Sequence, residues 1–224
     1  MSFNIQHGLR GDGARVDIGL TGSVAAALKP DVLALQEVDV GVPRSGAVDE
    51  AAEVAAAAGM AHLFGPAARV GVVGQYGNAL LARGTIEDVA VRRLPRRRFR
   101  SEPRAIVLAR VSIGGLAFTV GATHLSIHRE EVFAQLHAAL AWTLARPAPW
   151  LFVGDLNLLP HQVHPAVEAA GLTLAGGDAT FPASAPRIRI DHVAVGGGLQ
   201  VESVEIAETP ASDHRPLVVD LVTT

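Results

Sequence analysis

The stretch TPASDHRPLVVDL, from Thr209 to Leu221, places four consecutive polar residues directly before an apolar run. The apolar part has the composition of a buried strand. The polar part, Ser212 to Arg215, would by itself suit an ordinary turn. Five other predicted strands carry similar residues near their ends, however, and turns alone do not explain such a repetition.

These strand ends share side chains that carry a carboxylate, an amide or an imidazole group. They contribute Asn4 and His7 in FNIQHG, Gln36 and Glu37 in DVLALQEVD, His124 in FTVGATHLS, Asp155 and Asn157 in WLFVGDLNLLP, and Asp191 and His192 in RIRIDHVAV. Binding and catalytic sites of α/β proteins assemble at the ends of strands. We therefore predict one functional site, formed by these six segments.

The composition limits the chemistry of this site. The 224 residues suffice for one large core, and we predict a single domain over residues 1–224. Hydrophobic residues make up 49% of the chain, and the net charge of −3 gives no indication of nucleic acid binding. The chain has no cysteine, which excludes disulfides, thiolate metal sites and a cysteine nucleophile. Any metal is therefore expected on oxygen or imidazole ligands.

Targeting signals are not evident in the sequence. The start, MSFNIQHG, lacks a basic region followed by an apolar core, and no run of about 18 apolar residues suggests a membrane span. These patterns predict a cytoplasmic protein. Strand-like residues begin at Ser2, which leaves open whether an upstream segment precedes Met1.

Short β-branched runs alternate with alanine-rich helical stretches along the chain. Several strands are apolar on both faces, as in a sheet covered by helices on one side and by a second sheet on the other. The pattern predicts a layered α/β sandwich. The predicted helices are Val16–Leu28, Asp49–Ala58, Glu130–Ala145 and Gln162–Ala170, and the predicted strands are Ser2–Gln6, Val32–Gln36, Gly77–Ala82, Ala105–Ile113, Ala117–Thr123, Trp150–Gly154, Arg189–Val195 and Leu217–Val222.

The residue types at the strand ends suit metal-assisted hydrolysis of a phosphate ester. Hard oxygen ligands of the kind that Mg²⁺ and Mn²⁺ prefer are offered by Asn4, Glu37, Asp155 and Asp213. His124 and His214 are candidates for proton transfer or for holding a phosphoryl oxygen. Asp191 is a candidate for orienting one of these imidazoles.

The same segments resemble the endonuclease/exonuclease/phosphatase superfamily, whose fold is that of deoxyribonuclease I. The matching segments follow the order of the family over almost the whole chain: FNIQHG, PDVLALQEVD, YGNALLAR, ATHLS, FVGDLNLLP, RIDHVAV and SDHRPLVVDL. The sequence is most similar to small bacterial members that begin with NIxHG and carry RSG after the glutamate. The resemblance implies a four-layer αββα sandwich, in which two mixed sheets pack face to face and helices cover both.

The resemblance also implies a metal site for Mg²⁺ or Mn²⁺. By position, Glu37 is expected to be the principal metal ligand, and Asn4 is expected to help bind the metal or the scissile phosphate. Asp213 is expected to complete the metal shell. Asp155 is expected to orient or deprotonate the attacking water, or to bind the metal.

The remaining catalytic roles follow from the resemblance in the same way. His124 is expected to donate to a phosphate oxygen or to the leaving group, and Asn157 to hold the phosphate. Asp191 is expected to pair with His214. Together these residues imply a divalent-metal-dependent hydrolase of phosphoric esters.

Weaker indications concern residues around this set. His7 and Arg44 are within the matching region and are expected to reach a substrate phosphate. Asn78 lies in an apolar strand and either lines the site or serves as scaffold. His192 alternates with Asp191 along its strand, so we expect it to face the opposite side and to be structural.

The substrate class depends on one cluster of charge. The segment RRLPRRRFRSEPR, Arg92 to Arg104, has seven arginines in thirteen residues. Arginines bind phosphates and Phe99 is able to stack on a base, which would suit nucleic acid; a solvated edge strand is the alternative, and the one we favour. We favour phosphodiester substrates, a class that includes nucleic acid. A phosphomonoesterase on a small or lipid-linked head group and a catalytically silent binding module are the alternatives.

Two departures from the family concern nucleases in particular. The chain is shorter than most of these nucleases, so we expect the loops that grip duplex DNA to be absent. The tyrosine that apurinic endonucleases place near the phosphate has no evident counterpart, since Tyr76 is the only tyrosine. Both observations argue against specificity for apurinic sites.

Overall fold

Two six-stranded mixed sheets pack face to face in the computed structural model, which describes residues 1–97 and 101–224. The strands are β1 (Ser2–Asn4), β2 (Val32–Val40), β3 (Ala61–Val70), β4 (Gly74–Ala82), β5 (Thr85–Arg93), β6 (Ala105–Ile113), β7 (Leu116–His124), β8 (Trp150–Asp155), β9 (Thr173–Leu174), β10 (Asp191–Gly196), β11 (Leu199–Ile206) and β12 (Leu217–Thr223). The first sheet has the order β11-β12-β1-β2-β4-β3, and the second has the order β5-β6-β7-β8-β10-β9.

Alternation along the strands divides the core of the molecule into three layers. In β2, Val32 and Ala34 face the second sheet, whereas Leu33 and Leu35 face the helices α1 (Ile18–Leu28) and α2 (Glu50–Ala58). This two-sided burial is why the strand reads as a continuous apolar run.

The outer face of the second sheet is covered by α3 (Arg129–Leu144) and α4 (Pro160–Ala169). Leu136 of α3 is fully buried in the same cluster as Ile106 and Phe152 of the sheet. Helix α3 approaches β7 closely at Gly121, where a Cβ atom would lie 2.2 Å from Oγ1 of Thr143. The resulting order of layers, helices, sheet, sheet and helices, confirms the predicted αββα sandwich.

The topology brings the six predicted strand ends to one edge. Each sheet contains a parallel pair joined by a helix, β1–α1–β2 and β7–α3–β8. The last pairs in register are Asn4 with Gln36 and His124 with Asp155. Strands β10 and β12 run antiparallel to their neighbours, so their beginnings lie at this same edge. Functional residues therefore follow some strands and precede others.

All four predicted helices are present, whereas four strands were not predicted. Those four, β3, β5, β9 and β11, are the outermost strands of the two sheets. Within the described residues, no helix is long and apolar enough to cross a membrane.

Candidate active site

A β-bulge places Glu37 at the edge of the first sheet. The register between β2 and β4 shifts between Leu35 and Val38, and Glu37 adopts a left-handed conformation with φ of 57°. Bulges of this kind redirect a side chain next to a functional site. Burial raises the pKa of the Glu37 carboxyl, and the negative charges of Glu102 and Asp213 add to this effect.

Asn4 joins the two sheets at this point. Its Nδ2 donates to Oε1 of Glu37 at 3.0 Å and to Oδ2 of Asp155 at 3.0 Å. Its Oδ1 accepts from the backbone N–H of Gln6 at 3.1 Å, which fixes the orientation of the amide. The amide thus connects the ends of β1 and β8 to the bulge in β2.

Asp155 lies at the centre of the site and is 1% exposed. The carboxylate also accepts, at Oδ1, the backbone N–H of Asn157 at 2.9 Å, which forms the Asx turn that GDLN suggests. The preceding Gly154 (φ of 150°) has no room for a side chain, because a Cβ atom would lie 1.8 Å from the carbonyl oxygen of Thr123. Burial and the nearby charge of Asp191 raise the pKa of Asp155 to about 7.

The hydrogen bonds of His124 define which ring nitrogen carries its proton. Nδ1 lies 2.8 Å from the guanidinium of Arg104, which has only hydrogens to offer, so Nδ1 accepts. In the neutral ring the hydrogen is then on Nε2, which faces Oδ2 of Asp155 at 3.5 Å. Nδ2 of Asn157 lies 3.1 Å from Nε2 but is itself a donor, so in this tautomer it makes no hydrogen bond to His124 and donates to the carbonyl oxygen of Leu125 at 3.0 Å. Burial and the charge of Arg104 keep the pKa of His124 well below its usual value.

His214 and Asp191 form a buried pair on the other side of Asp155. Nδ1 of His214 lies 2.9 Å from Oδ2 of Asp191, which also accepts from Thr180 at 2.6 Å. Nε2 of His214 lies 3.7 Å from Oδ2 of Asp155, and the ring of Phe181 packs against the imidazole. Burial alone would lower the pKa of His214, but the Asp191 carboxylate and its neighbours outweigh burial and raise it to about 10.

Asp213 lies at the rim, where it is partly buried. The preceding Ser212 donates to the backbone carbonyl of Asn4 at 2.7 Å, which ties this turn to the end of β1. The charge of Asp213 acts on both Glu37 and His214, so the residue belongs to the same electrostatic environment.

His7 and Arg44 flank the site on the side of Glu37. Arg44 donates twice to the buried carboxylate of Asp39, at 2.7 and 2.9 Å, and its guanidinium lies 5.7 Å from the centre of the Tyr76 ring. His7 is partly buried in a left-handed conformation with φ of 46°, and burial together with the charge of Arg44 lowers its pKa.

Asn78 spans the two sheets from within β4. Its Nδ2 donates to the carbonyl oxygen of Ala105 at 2.8 Å, directly after Arg104. This contact supports the scaffold alternative, whereas its contact with a substrate phosphate stays a prediction. His192 faces α4, as expected, with Nε2 2.8 Å from the carbonyl oxygen of Leu158.

Arg104 and Tyr76 are residues to which the sequence analysis assigned no role in the site. Arg104 is buried, pairs with Glu102 at 2.7 Å and contacts His124. Tyr76 is 7% exposed, and burial and the charge of Glu37 raise its pKa. The sequence does contain an indication for Arg104, because it directly precedes the apolar strand β6, and the other site residues also lie next to apolar strands.

The other described arginines of the Arg92–Arg104 cluster are exposed, whereas Arg104 is buried. Arg92 lies 5.4 Å from the centre of the Trp142 ring on α3, and the backbone N–H of Arg97 donates to Glu131. Arg98, Phe99 and Arg100 lie outside the described residues. Arg92 and Arg93, at the end of the edge strand β5, are exposed, which agrees with the solvated edge that we favoured for this part of the cluster.

Two groups of residues are candidates for holding a cation. Asp155, Asp191 and His214 offer ligand atoms within 4.8 Å of one another. Asp191 keeps His214 protonated at both ring nitrogens, however, so neither nitrogen offers a lone pair to a cation. The predicted ligand Glu37 interacts electrostatically with Asp213, and both offer the hard oxygens that Mg²⁺ and Mn²⁺ take. A divalent cation held by Glu37 and Asp213 stays a prediction.

Comparison with known proteins agrees with this arrangement. The sequence model of the Endonuclease/Exonuclease/phosphatase family matches residues 1–214. The chain belongs to the endonuclease/exonuclease/phosphatase family. Members of this family are hydrolases of phosphoric esters, and the chain is a hydrolase of this family. No curated protein sequence matches the chain significantly.

Solved structures of the endonuclease/exonuclease/phosphatase fold superpose on the whole chain. A protein of this family from Beutenbergia cavernae is 25% identical with a TM-score of 0.85, over 99% of this chain and 70% of that one. A mannosyl-6-phosphatase from Bacteroides thetaiotaomicron is 17% identical with a TM-score of 0.79, over 99% and 98%. The human Nocturnin catalytic domain with a bound sulfate is 20% identical with a TM-score of 0.73, over 99% and 92%.

Proposed function

We propose that this protein is a divalent-metal-dependent hydrolase of phosphoric esters that acts by in-line attack of water. The observation that carries the proposal is the connected network of Glu37, Asn4, Asp155 and His214, which draws on both sheets. Such a network combines acid groups, imidazoles and an amide in one buried place, as metal-assisted hydrolysis requires.

Glu37 and Asp213 are the residues that would hold Mg²⁺ or Mn²⁺, with Asn4 orienting the Glu37 carboxylate. A divalent cation supplies charge neutralisation for the phosphoryl oxygens. Because burial and neighbouring acids disfavour the ionised form of Glu37, a cation there also relieves a cost of the fold.

The attacking water is assigned to Asp155. Its raised pKa, about 7, suits a carboxylate that accepts a proton from water near neutral pH. His214 is protonated at this pH, and its Nε2–H, facing Asp155, is placed to stabilise the negative charge that develops during attack.

The scissile phosphate is assigned to the donors beside Asp155. His124 offers a hydrogen at Nε2 because Arg104 occupies Nδ1, and the amide of Asn157 lies next to it. Neutral His124 therefore acts as a hydrogen-bond donor to a phosphoryl or leaving-group oxygen. His7, Arg44 and Asn78 are proposed to contact a substrate phosphate.

We retain the phosphodiester as the preferred substrate, and a phosphomonoester on a small molecule is the second candidate. The second candidate is favoured by the engagement of Arg92 with Trp142, which leaves fewer free arginines for a nucleic acid backbone. Hydrolysis of bis-p-nitrophenyl phosphate and of p-nitrophenyl phosphate, each with Mg²⁺ or Mn²⁺, compares the two classes.

Glu37→Gln tests the assignment of the metal ligand. We expect turnover to fall by about 100-fold or more, because the variant keeps the shape of the side chain and loses the charge that binds the cation. Glu205→Gln on the exposed strand β11 is the matched control and should leave turnover unchanged. Equal turnover of wild type and Glu37→Gln at limiting metal would refute the assignment, and no turnover of any phosphoric ester by the wild type would favour a silent binding module.

A further inference from the structure

Arg44 is held in one orientation by a carboxylate that lies beneath it. Its Nε donates to Oδ2 of Asp39 at 2.7 Å and its Nη2 donates to Oδ1 at 2.9 Å, so both oxygens of that carboxylate are engaged. The side chain of Asp39 is fully buried, whereas that of Arg44 is 47% exposed. A two-point contact of this kind fixes the plane of the guanidinium, which a single hydrogen bond would leave free to turn.

Asp39 is itself held from two directions. The hydroxyl hydrogen of Ser45 is shared between Oδ2 of Asp39 at 3.1 Å and the carbonyl oxygen of Val42 at 3.0 Å. The backbone N–H of Asp39 donates to Oε2 of Glu50, the buried first residue of α2, at 2.7 Å. Burial raises the pKa of Glu50 to about 8, so near neutral pH this contact adds no second negative charge beside Asp39.

The loop that carries Arg44 is closed by its own backbone. The N–H of Gly41 donates to the carbonyl oxygen of Val48 at 2.9 Å, and the N–H of Ala47 donates to that of Val42 at 2.9 Å. Loops that are fixed in this way are where binding residues are often placed on a rigid scaffold. The backbone and the side chain of Arg44 are therefore both positioned before any substrate arrives.

The pairing with Asp39 leaves one edge of the Arg44 guanidinium free. Asp39 occupies the edge formed by Nε and Nη2, and within the described residues Nη1 makes no hydrogen bond. The edge formed by Nη1 and Nη2 therefore keeps one N–H on each nitrogen, a fork that matches two oxygens of a phosphate. Arg44 lies beside the candidate active site, because the charge of Glu37 acts on it and its own charge acts on His7.

We propose that Asp39 is a positioning residue, which holds the free edge of Arg44 in place to bind two oxygens of a substrate phosphate. The inference rests on the proposed function, since contact of Arg44 with a phosphate is part of it. A role in charge balance alone predicts the opposite effect of removing Asp39. Loss of a buried negative charge would then strengthen the attraction of Arg44 for phosphate, whereas loss of a positioning group weakens binding.

Asp39→Asn separates the two roles, because the amide nitrogen that it introduces cannot accept a hydrogen bond from the guanidinium. We expect KM for p-nitrophenyl phosphate and the Kd of inorganic phosphate, measured by calorimetry with Mg²⁺, each to rise roughly 10-fold, with a much smaller change in kcat. In the Arg44→Met background the same substitution should have no further effect on either quantity. Asp31→Asn, an exposed position directly before the same strand at its opposite end, is the matched control.

Two further variants test the fork without removing the buried carboxylate. Arg44→Lys keeps the charge and loses the fork, so it should weaken phosphate binding nearly as much as Arg44→Met. Ser45→Ala removes only the hydroxyl that holds Asp39, so it should weaken phosphate binding by a smaller factor than Asp39→Asn. Both readouts remain available if Asp39→Asn does not fold.

Tighter phosphate binding by Asp39→Asn, full retention of binding by Arg44→Lys, or independent effects of Asp39→Asn and Arg44→Met would each overturn the proposal. Phosphate binding that does not depend on Arg44 would overturn it as well. Binding of phosphate does not require hydrolysis. A wild type that binds phosphate through Arg44 and hydrolyses no ester would contradict the proposed function alone, and normal turnover with no effect of Asp39→Asn would contradict this inference alone.

Discussion

At the scale of single residues, the chemistry of the site depends on which hydrogen each buried group holds. Asp191 keeps His214 protonated, and Arg104 keeps the hydrogen of His124 on Nε2. Both partners are fixed by burial, so each assignment gives a separate prediction.

Asp191→Asn is expected to lower kcat by about 10⁴-fold, the loss found when a catalytic imidazole loses its orienting carboxylate. The carboxylate raises the pKa of His214 to about 10, so without it burial should bring that pKa down. In the wild type kcat should decline only as pH approaches 10, whereas the residual activity of the variant should decline at lower pH. Measured pH profiles of kcat check this, with the exposed Asp178→Asn as control. Superimposable profiles would exclude the proposed role.

Arg104→Met is expected to lower kcat by about 10–100-fold with a smaller effect on KM, because Nδ1 of His124 is then free to take the hydrogen. We regard Arg104 as a positioning residue for this imidazole. The ring nitrogen chemical shifts of His124 report the tautomer directly. Arg69→Met, exposed on β3, is the matched control. An unchanged tautomer in Arg104→Met would remove the basis of this prediction.

The acids and imidazoles of the candidate site could be predicted from the sequence because each lies next to an apolar run that is typical of a strand. It did not reach the bulge that turns Glu37 into the site, because a bulge is defined by the register with β4. Nor did it assign Arg104 to His124, which lies 20 residues away and comes near it only when β6 pairs with β7.

At the scale of elements, prediction depended on how many neighbours an element has. The eight predicted strands are paired on both sides or nearly so and are therefore strongly apolar. The missed strands β3, β5, β9 and β11 each have one neighbour, and β5 exposes most of its side chains and β11 half of them. An edge strand carries polar residues that protect it from further pairing, and these residues interrupt the apolar pattern by which a strand is recognised in the sequence.

Gly121→Ala tests the close approach of α3 to β7. An added methyl group would collide with Thr143, so we expect a loss of about 1–3 kcal/mol in the free energy of unfolding. Thr143→Ala in the same chain should recover part of this loss, because it removes the colliding hydroxyl and methyl groups. Urea unfolding of the single and double variants measures both effects. Additive losses in the double variant would show that the two positions do not collide.

At the scale of the whole molecule, the layers predicted from the sequence are correct because two-sided apolar strands allow few other arrangements. The assembly of the site depends on the order and direction of the strands in the two sheets, and a local sequence pattern does not predict these. Two helix-linked parallel pairs deliver four strand ends to one edge, and the antiparallel strands β10 and β12 begin there.

Acid should destabilise the whole fold partly through His192. Burial lowers its pKa to about 4, whereas in the unfolded chain it titrates near 6.5. The contribution of neutral His192 is thus complete above pH 6.5 and is lost as pH falls towards 4. His192→Gln should make the pH dependence of the unfolding free energy shallower over this range, by up to about 1.4 kcal/mol per pH unit. Urea unfolding between pH 4 and 8 checks this, and parallel curves would contradict it.

Because the amide of Asn4 bridges the two sheets, the proposed turnover should depend on how the two sheets are aligned. Its two acceptors belong to opposite layers, each at 3.0 Å, so a slip of one layer along the other by a single residue, about 3.3 Å, would break the link. A shift between the two sheets, or a mild loosening of the core between them, should therefore abolish hydrolysis while the helices and the strand pairing within each sheet remain intact.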